Sequence, residues 1–126
     1  MLNHISINVS DYEKGKEFYG KALAPLGYTL ISDFAEWSVA GFGDGKPDTW
    51  VGAGKGKVEQ TTHVAYAAKN KNEVDGFYNA AIAAGGKDNG KPGYRKEYTP
   101  GYYAAFVHDP DGNNIEAVFM DPNPTE

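Results

Sequence analysis

The stretch 4-HISINVSDYEKGKEFYGKALAPLG-27 returns as 63-HVAYAAKNKNEVDGFYNAAIAAGG-86, and the two superimpose at one constant offset without a gap. The overlay pairs His4 with His63, Phe18 with Phe77, Tyr19 with Tyr78, Ala22 with Ala81, Leu23 with Ile82 and Gly27 with Gly86. Two copies indicate a duplication, since a stacked solenoid needs more. Each copy opens with a strand pattern: His4, Ser6 and Asn8 alternate with Ile5, Ile7 and Val9, as in a strand with one buried face. The period then changes. Val74, Phe77, Tyr78, Ala81 and Ile82 form the stripe of an amphipathic helix, and Tyr12, Phe18, Tyr19, Ala22, Leu23 and Leu26 give a looser version. Ser10 with Glu13 and Asn70 with Glu73 have the spacing of capping boxes, while Pro25 to Gly27 and Gly85–Gly86 supply stops.

After each helix the text returns to strands, at roughly 28–33, 36–41 and 48–53 and again at 102–108 and 114–120. DPDGN at 109–113 reads as a hairpin connection, because Pro110 presets φ and Gly112 supplies a positive φ. The strand that the second unit should have between Gly86 and Tyr102 is hard to see, and 87-KDNGKPGYRKEYTPGYY-103 reads as a long loop beside the opening of a cup. The expectation is one α+β domain over 1–126, built from βαβββ modules at 1–56 and 60–121. The helices are expected to cover the apolar faces of the strands.

Composition bounds the function. At 126 residues, with 40% apolar and 23% charged residues, the chain has material for one core. A net charge of −5 without a basic stripe argues against a nucleic-acid partner. The opening MLNHISINVSD has no basic leader followed by an apolar run, and no apolar run approaches the ~18 residues of a membrane span. A cytoplasmic location without membrane attachment is expected. The absence of cysteine excludes disulfides and thiolate ligands, so a metal site must use His, Asp, Glu or neutral oxygens.

The histidines share their strand faces with Ser6 and Asn8 or with Ala65 and Ala67, residues suited to lining a cavity. In 114-NIEAVF-119, Glu116 interrupts an apolar strand, where an unpaired buried carboxylate costs several kcal/mol. His4, His63 and Glu116 projecting into one cup make a two-His-one-carboxylate set with open positions for water and substrate. Fe, Zn, Ni, Mn, Co and Mg all remain possible as the single divalent ion. Alternatively, each histidine is an ordinary hydrogen-bonded side chain and Glu116 lies on an edge strand. His108, against the turn, reads as structural. Tyr98, Tyr102 and Tyr103 are pocket walls or simply strand formers, and Arg95 either meets an anionic substrate group or is solvated.

HISINVSD with FYGKALAPLGY, THVAYAA with its helix, and AAFVHDPDGNNIEAV together resemble the glyoxalase, bleomycin-resistance and extradiol-dioxygenase superfamily, the vicinal oxygen chelate fold, over nearly the whole chain. The resemblance implies a curved mixed sheet, a cup around a metal site with helices on its outer face, metal roles for His4, His63 and Glu116, and a homodimer. It also implies a mechanism in which two adjacent substrate oxygens chelate the ion, with Glu116 the catalytic carboxylate. Enzymes resembling lactoylglutathione lyase usually add a fourth ligand, a carboxylate where this chain reads 48-DTWVGAG-54, and here Trp50 takes that place as a substrate wall. A glyoxalase-like lyase or isomerase is the leading reading. Alternatives are an extradiol-type dioxygenase or thiol transferase with the same ligands, or a non-catalytic binder of the bleomycin-resistance kind.

Overall fold

The computed structural model describes residues 1–125, and its elements follow the duplication. The first module contains β1 (Ile5–Asn8), α1 (Tyr12–Ala22), a 3-10 turn (Ala24–Leu26), β2 (Thr29–Phe34), a second 3-10 turn (Ala35–Trp37), β3 (Val39–Asp44) and β4 (Lys46–Gly52). The second contains β5 (His63–Ala67), α2 (Lys71–Ala83), β6 (Lys87–Tyr94), β7 (Tyr102–His108) and β8 (Asn114–Met120). The result is an α+β fold with two four-stranded mixed sheets, ordered β1-β4-β3-β2 and β5-β8-β7-β6. In each, the first strand runs parallel to the last and the other pairs are antiparallel. Among the described residues no helix is long and apolar enough to cross a membrane.

The strand faces divide as the alternation requires. Ile7 and Val9 are buried while Ser6 and Asn8 are exposed, and Tyr66 is buried between exposed Ala65 and Ala67. The helices cover the apolar faces. Phe18, Tyr19 and Ala22 of α1 and Val74, Phe77 and Ala81 of α2 are sealed into one core with Phe42, Val51, Val107 and Ile115. Each large apolar side chain so buried contributes about 1.5–3 kcal/mol.

Three local expectations change. The α1 cap is Asp11 and not Ser10: the Asp11 side chain accepts from the Lys14 amide at 3.0 Å, whereas Asn70 caps α2 as the spacing implies. The strand expected at 36–41 begins at Val39, because Ala35–Trp37 coil into a 3-10 turn that ends at Ser38 with φ 56°. The long loop expected at 87–103 is the largest correction, since Lys87–Tyr94 is strand β6 and only the remainder connects it to β7. Its composition hides it. Gly90, Pro92 and Gly93 suit an edge strand with bulges, and the register slips between Asp88 and Gly90 and again before Gly93.

The modules are joined by polar contacts as well as by the shared core. Asp109, 2% exposed, accepts from the Tyr19 hydroxyl at 2.6 Å, from the amides of Asp111 and Asn113 at 2.9 Å, and from Asn113 Nδ2 at 2.8 Å. Asn113 Nδ2 also donates to the Asn8 carbonyl at 3.0 Å, and Asp111 accepts from the Ser10 amide at 3.0 Å. The DPDGN turn, with Gly112 at φ 92°, therefore seats the second module on the β1–α1 corner of the first. Further along, Thr49 Oγ1 and the Tyr66 hydroxyl meet at 2.9 Å, with Tyr28 edge-on to Tyr66. Asp109→Ala strands a buried phenol and amide and should cost about 3 kcal/mol in urea denaturation, whereas Asp111→Ala, at the exposed end, should cost about 1 kcal/mol or less. Equal losses in the two variants would remove Asp109 from its structural role.

Candidate metal centre

Parallel pairing of β5 with β8 sets Ala65 opposite Glu116, and antiparallel pairing with β7 sets Phe106 on its other side. His63 Nε2 lies 2.8 Å from Glu116 Oε1, while the Tyr102 hydroxyl donates to Oε2. Glu116 is only 1% exposed, which removes the edge-strand alternative, and the His63 side chain is 53% exposed. A carboxylate this buried requires donors on both oxygens, and it has them. Burial chiefly, then the bond to Glu116 and its charge, push the Tyr102 phenol up to about 12. Tyr102 therefore stays protonated, and remains a donor, through the neutral range.

The remaining residues singled out from the sequence separate into two groups. Tyr98 stands edge-on to Tyr102 at 5.1 Å and is largely exposed. The Arg95 guanidinium lies over the Phe106 ring, 5.3 Å from its centroid, and Phe106 flanks His63 at 6.3 Å between centroids. Tyr103 does not belong with them. It points to the helix side, where its hydroxyl donates to Asp75 of α2 at 2.7 Å and its ring meets Tyr94. Neighbours on a strand face opposite ways, so Tyr102 and Tyr103 were never able to share one wall. Phe106 went unnoticed in the sequence, although counting back from the DPDGN turn pairs it with Glu116. His108 ends β7 opposite Asn114.

The first module repeats the geometry with different chemistry. Ser6 pairs with Trp50 as Ala65 pairs with Glu116, and Gly41 pairs with Trp50 as Phe106 pairs with Glu116. Trp50 thus occupies the register position of the carboxylate. Its indole lies flat against Gly41, where an added Cβ would fall 2.7 Å from the ring, and it stacks on Phe34 at 6.2 Å and 11°. Phe34 in turn meets Trp37, which is 67% exposed. His4 stands apart: its Nδ1 shares a hydrogen bond with Asn3 at 2.7 Å, and it lines a cleft of about 250 Å³ with Tyr28, Asp48, Thr49 and Tyr66.

His63 and Glu116 offer the imidazole nitrogen and carboxylate oxygen that divalent cations of the zinc, manganese or iron type accept. Among the described residues, however, no three His, Asp or Glu side chains are grouped closely enough to hold one ion. The chain provides a pair, and His4 does not join it.

The sequence model of the "Glyoxalase/Bleomycin resistance protein/Dioxygenase superfamily" matches residues 1–117. No curated protein matches the chain. Among solved structures, a glyoxalase/bleomycin resistance protein from Albidiferax ferrireducens is 26% identical, with a TM-score of 0.80 over 94% of this chain and 98% of that one. A glyoxalase-related enzyme from Fulvimarina pelagi, 19% identical with a TM-score of 0.71 over 94% and 87% of the chains, shares the fold. So does a lactoylglutathione lyase from Agrobacterium tumefaciens, 15% identical with a TM-score of 0.69 over 94% and 92%. With its duplicated βαβββ architecture and a family match covering all but the C-terminal end, the chain belongs to the glyoxalase/bleomycin resistance protein/dioxygenase superfamily.

Proposed function

We propose that this protein is a metal-dependent enzyme of the glyoxalase-like lyase or isomerase type, acting on a small substrate with two adjacent oxygens. The observation that carries this reading is Glu116: a buried carboxylate whose Oε1 meets an exposed imidazole and whose Oε2 is occupied by Tyr102. A merely structural ion pair gains little from one half-exposed partner. His63 and Glu116 would hold the cation, with His4 the third ligand. A divalent ion held there would supply Lewis-acid polarisation of substrate oxygens. Tyr102 fixes the carboxylate through Oε2, leaving Oε1 to face the ion or to hold a substrate proton.

His4 sits on the other sheet of the chain, so we assign the third ligand to a second copy. The protein is then a homodimer in which the face carrying His4 and Trp50 meets the partner's face carrying His63 and Glu116. The same ligands would serve an extradiol-type dioxygenase or a thiol transferase. A non-catalytic binder is the second reading, and the aromatic row of exposed Phe34 and Trp37 with half-buried Trp50 favours it. Metal dependence separates these classes.

His4→Ala, His63→Ala and Glu116→Ala should each lose tight Mn²⁺ or Zn²⁺ binding and stay folded, while His108→Ala keeps wild-type affinity. Metal titration with circular dichroism checks both, and wild-type affinity in a ligand variant removes that residue from the site.

Light scattering should give twice the monomer mass. Mixing His4→Ala with Glu116→Ala should recover metal binding in heterodimers, which would contain one intact site. If the mixture binds no more than its parents, the third ligand comes from elsewhere.

Trp50→Glu restores a carboxylate at the register position of Glu116 and should tighten metal binding by completing a four-ligand set. In Trp37→Phe, whose remaining indole is Trp50, bound Mn²⁺ or Co²⁺ should quench emission. Silent emission together with unchanged affinity in Trp50→Glu would place Trp50 outside the site.

A further inference from the structure

Asn89 is the one asparagine of this chain that is followed by glycine, and the dipeptide falls where strand β6 slips out of register. Pairing with β7 shifts between Asp88 and Gly90, so Asn89 has no partner of its own across the ladder. Gly90 takes φ 149°, and its N–H donates to Asp88 Oδ1 at 3.0 Å. The Phe106 ring and the Arg95 guanidinium press so closely here that an added Cβ would meet them at 2.9 and 3.0 Å, which holds the position to glycine. β6 is the outer strand of its sheet, and Asn89 is exposed on it. The Asn89 side chain makes one long contact, with Nδ2 donating to Asn114 Oδ1 at 3.2 Å. The other asparagines precede residues that carry side chains, and Asn123 precedes Pro124, which has no N–H.

We propose that Asn89–Gly90 is a site of spontaneous deamidation, a hydrolytic modification of the β6 edge that consumes only water and loosens that edge. The Gly90 nitrogen attacks the side-chain carbonyl carbon of Asn89. A C–N bond forms, the side-chain nitrogen leaves as ammonia, and a cyclic imide remains. The proton on the Gly90 nitrogen has an acceptor already in place, the Asp88 carboxylate, from which it passes to the departing ammonia. Water then opens the imide at either carbonyl to give an aspartate or an isoaspartate, and nothing is oxidised or reduced. Glycine permits the attack because no Cβ shields its nitrogen from the side chain before it. The product alters a particular row of residues. Asn114 stands between His63 of β5 and His108 of β7, and Asn89 reaches over to it. Exchanging the donor Nδ2 for an acceptor oxygen sets two oxygens against each other and adds a negative charge to a chain already at −5. None of this depends on a metal. The competing outcome is protection, in which the paired strand on either side of the bulge holds Asn89 too extended for the ring to close.

The full-length protein would be incubated for days at mildly alkaline pH, both native and unfolded in urea. Anion-exchange chromatography and peptide mass mapping follow the products, and enzymatic methylation detects isoaspartate. One additional acidic form should accumulate in the native protein, with its mass gain and its isoaspartate both mapping to Asn89. Its rate of formation should lie within about tenfold of the rate in urea, since an edge bulge opens locally far more often than the whole chain unfolds. Asn89→Gln keeps an amide on a longer arm that closes the ring poorly, so it should give no such form. Asn89→Asp should lower the urea midpoint, because the bond to Asn114 is lost. The proposal fails if the acidic form appears only in urea, if it maps to another asparagine, or if it persists in Asn89→Gln. A wild-type midpoint in Asn89→Asp would overturn the loosening of the β6 edge.

Discussion

In each module the first strand must lie parallel beside the last, and the rest of the structure follows from that requirement. A parallel pair cannot be closed by a turn, so the chain crosses over through a helix and two further strands before returning. The crossover helix has to cover one face of its sheet, and both helices meet there in a common core. The opposite faces remain open. Residues far apart in the chain, His63 and Glu116, therefore become neighbours on the face away from the helices, with His63 half-exposed and Glu116 buried.

The duplication makes the departures between the modules informative. One register position carries a buried carboxylate flanked by a phenol and an imidazole; its twin carries an indole lying over a glycine and stacked on a phenylalanine. Electrostatics and dispersion have been assigned to separate faces. The charged face needs its phenol neutral, and burial beside Glu116 keeps Tyr102 so. The aromatic face needs no charge to be useful, because indole and phenyl rings hold flat partners through area and quadrupole contacts.

Much of this was legible in the sequence because periodicity and turn chemistry are local. The gapless repeat, the faces of β1 and β5, the α2 stripe and the 109–113 turn each rest on a few adjacent residues. Strand β6 was not legible, because its glycines and proline suppress alternation and its pairing is dictated by β7 alone. The site was legible as residue types but not as an assembly: spacing names His4, His63 and Glu116, yet only folding shows that His4 is left on the other sheet. Tyr103 was misplaced for a simpler reason, since a cluster of tyrosines in sequence ignores the alternation that sends it to Asp75. The cap shifted from Ser10 to Asp11 because both side chains can cap and the helix begins one residue later than the box assumes.

The pairing of His63 with Glu116 spans 53 positions, while the β7–β8 hairpin that carries Glu116 closes across the DPDGN turn. Loop-closure entropy rises with the length of chain enclosed, so closing the hairpin costs less than docking β5 on β8. The hairpin by itself gives Glu116 one partner, Tyr102, and β5 is the strand that carries the other, the His63 imidazole. Because the strand that lies beside the carboxylate also brings its second partner, the pairing of β5 with β8 leaves no buried, half-satisfied charge.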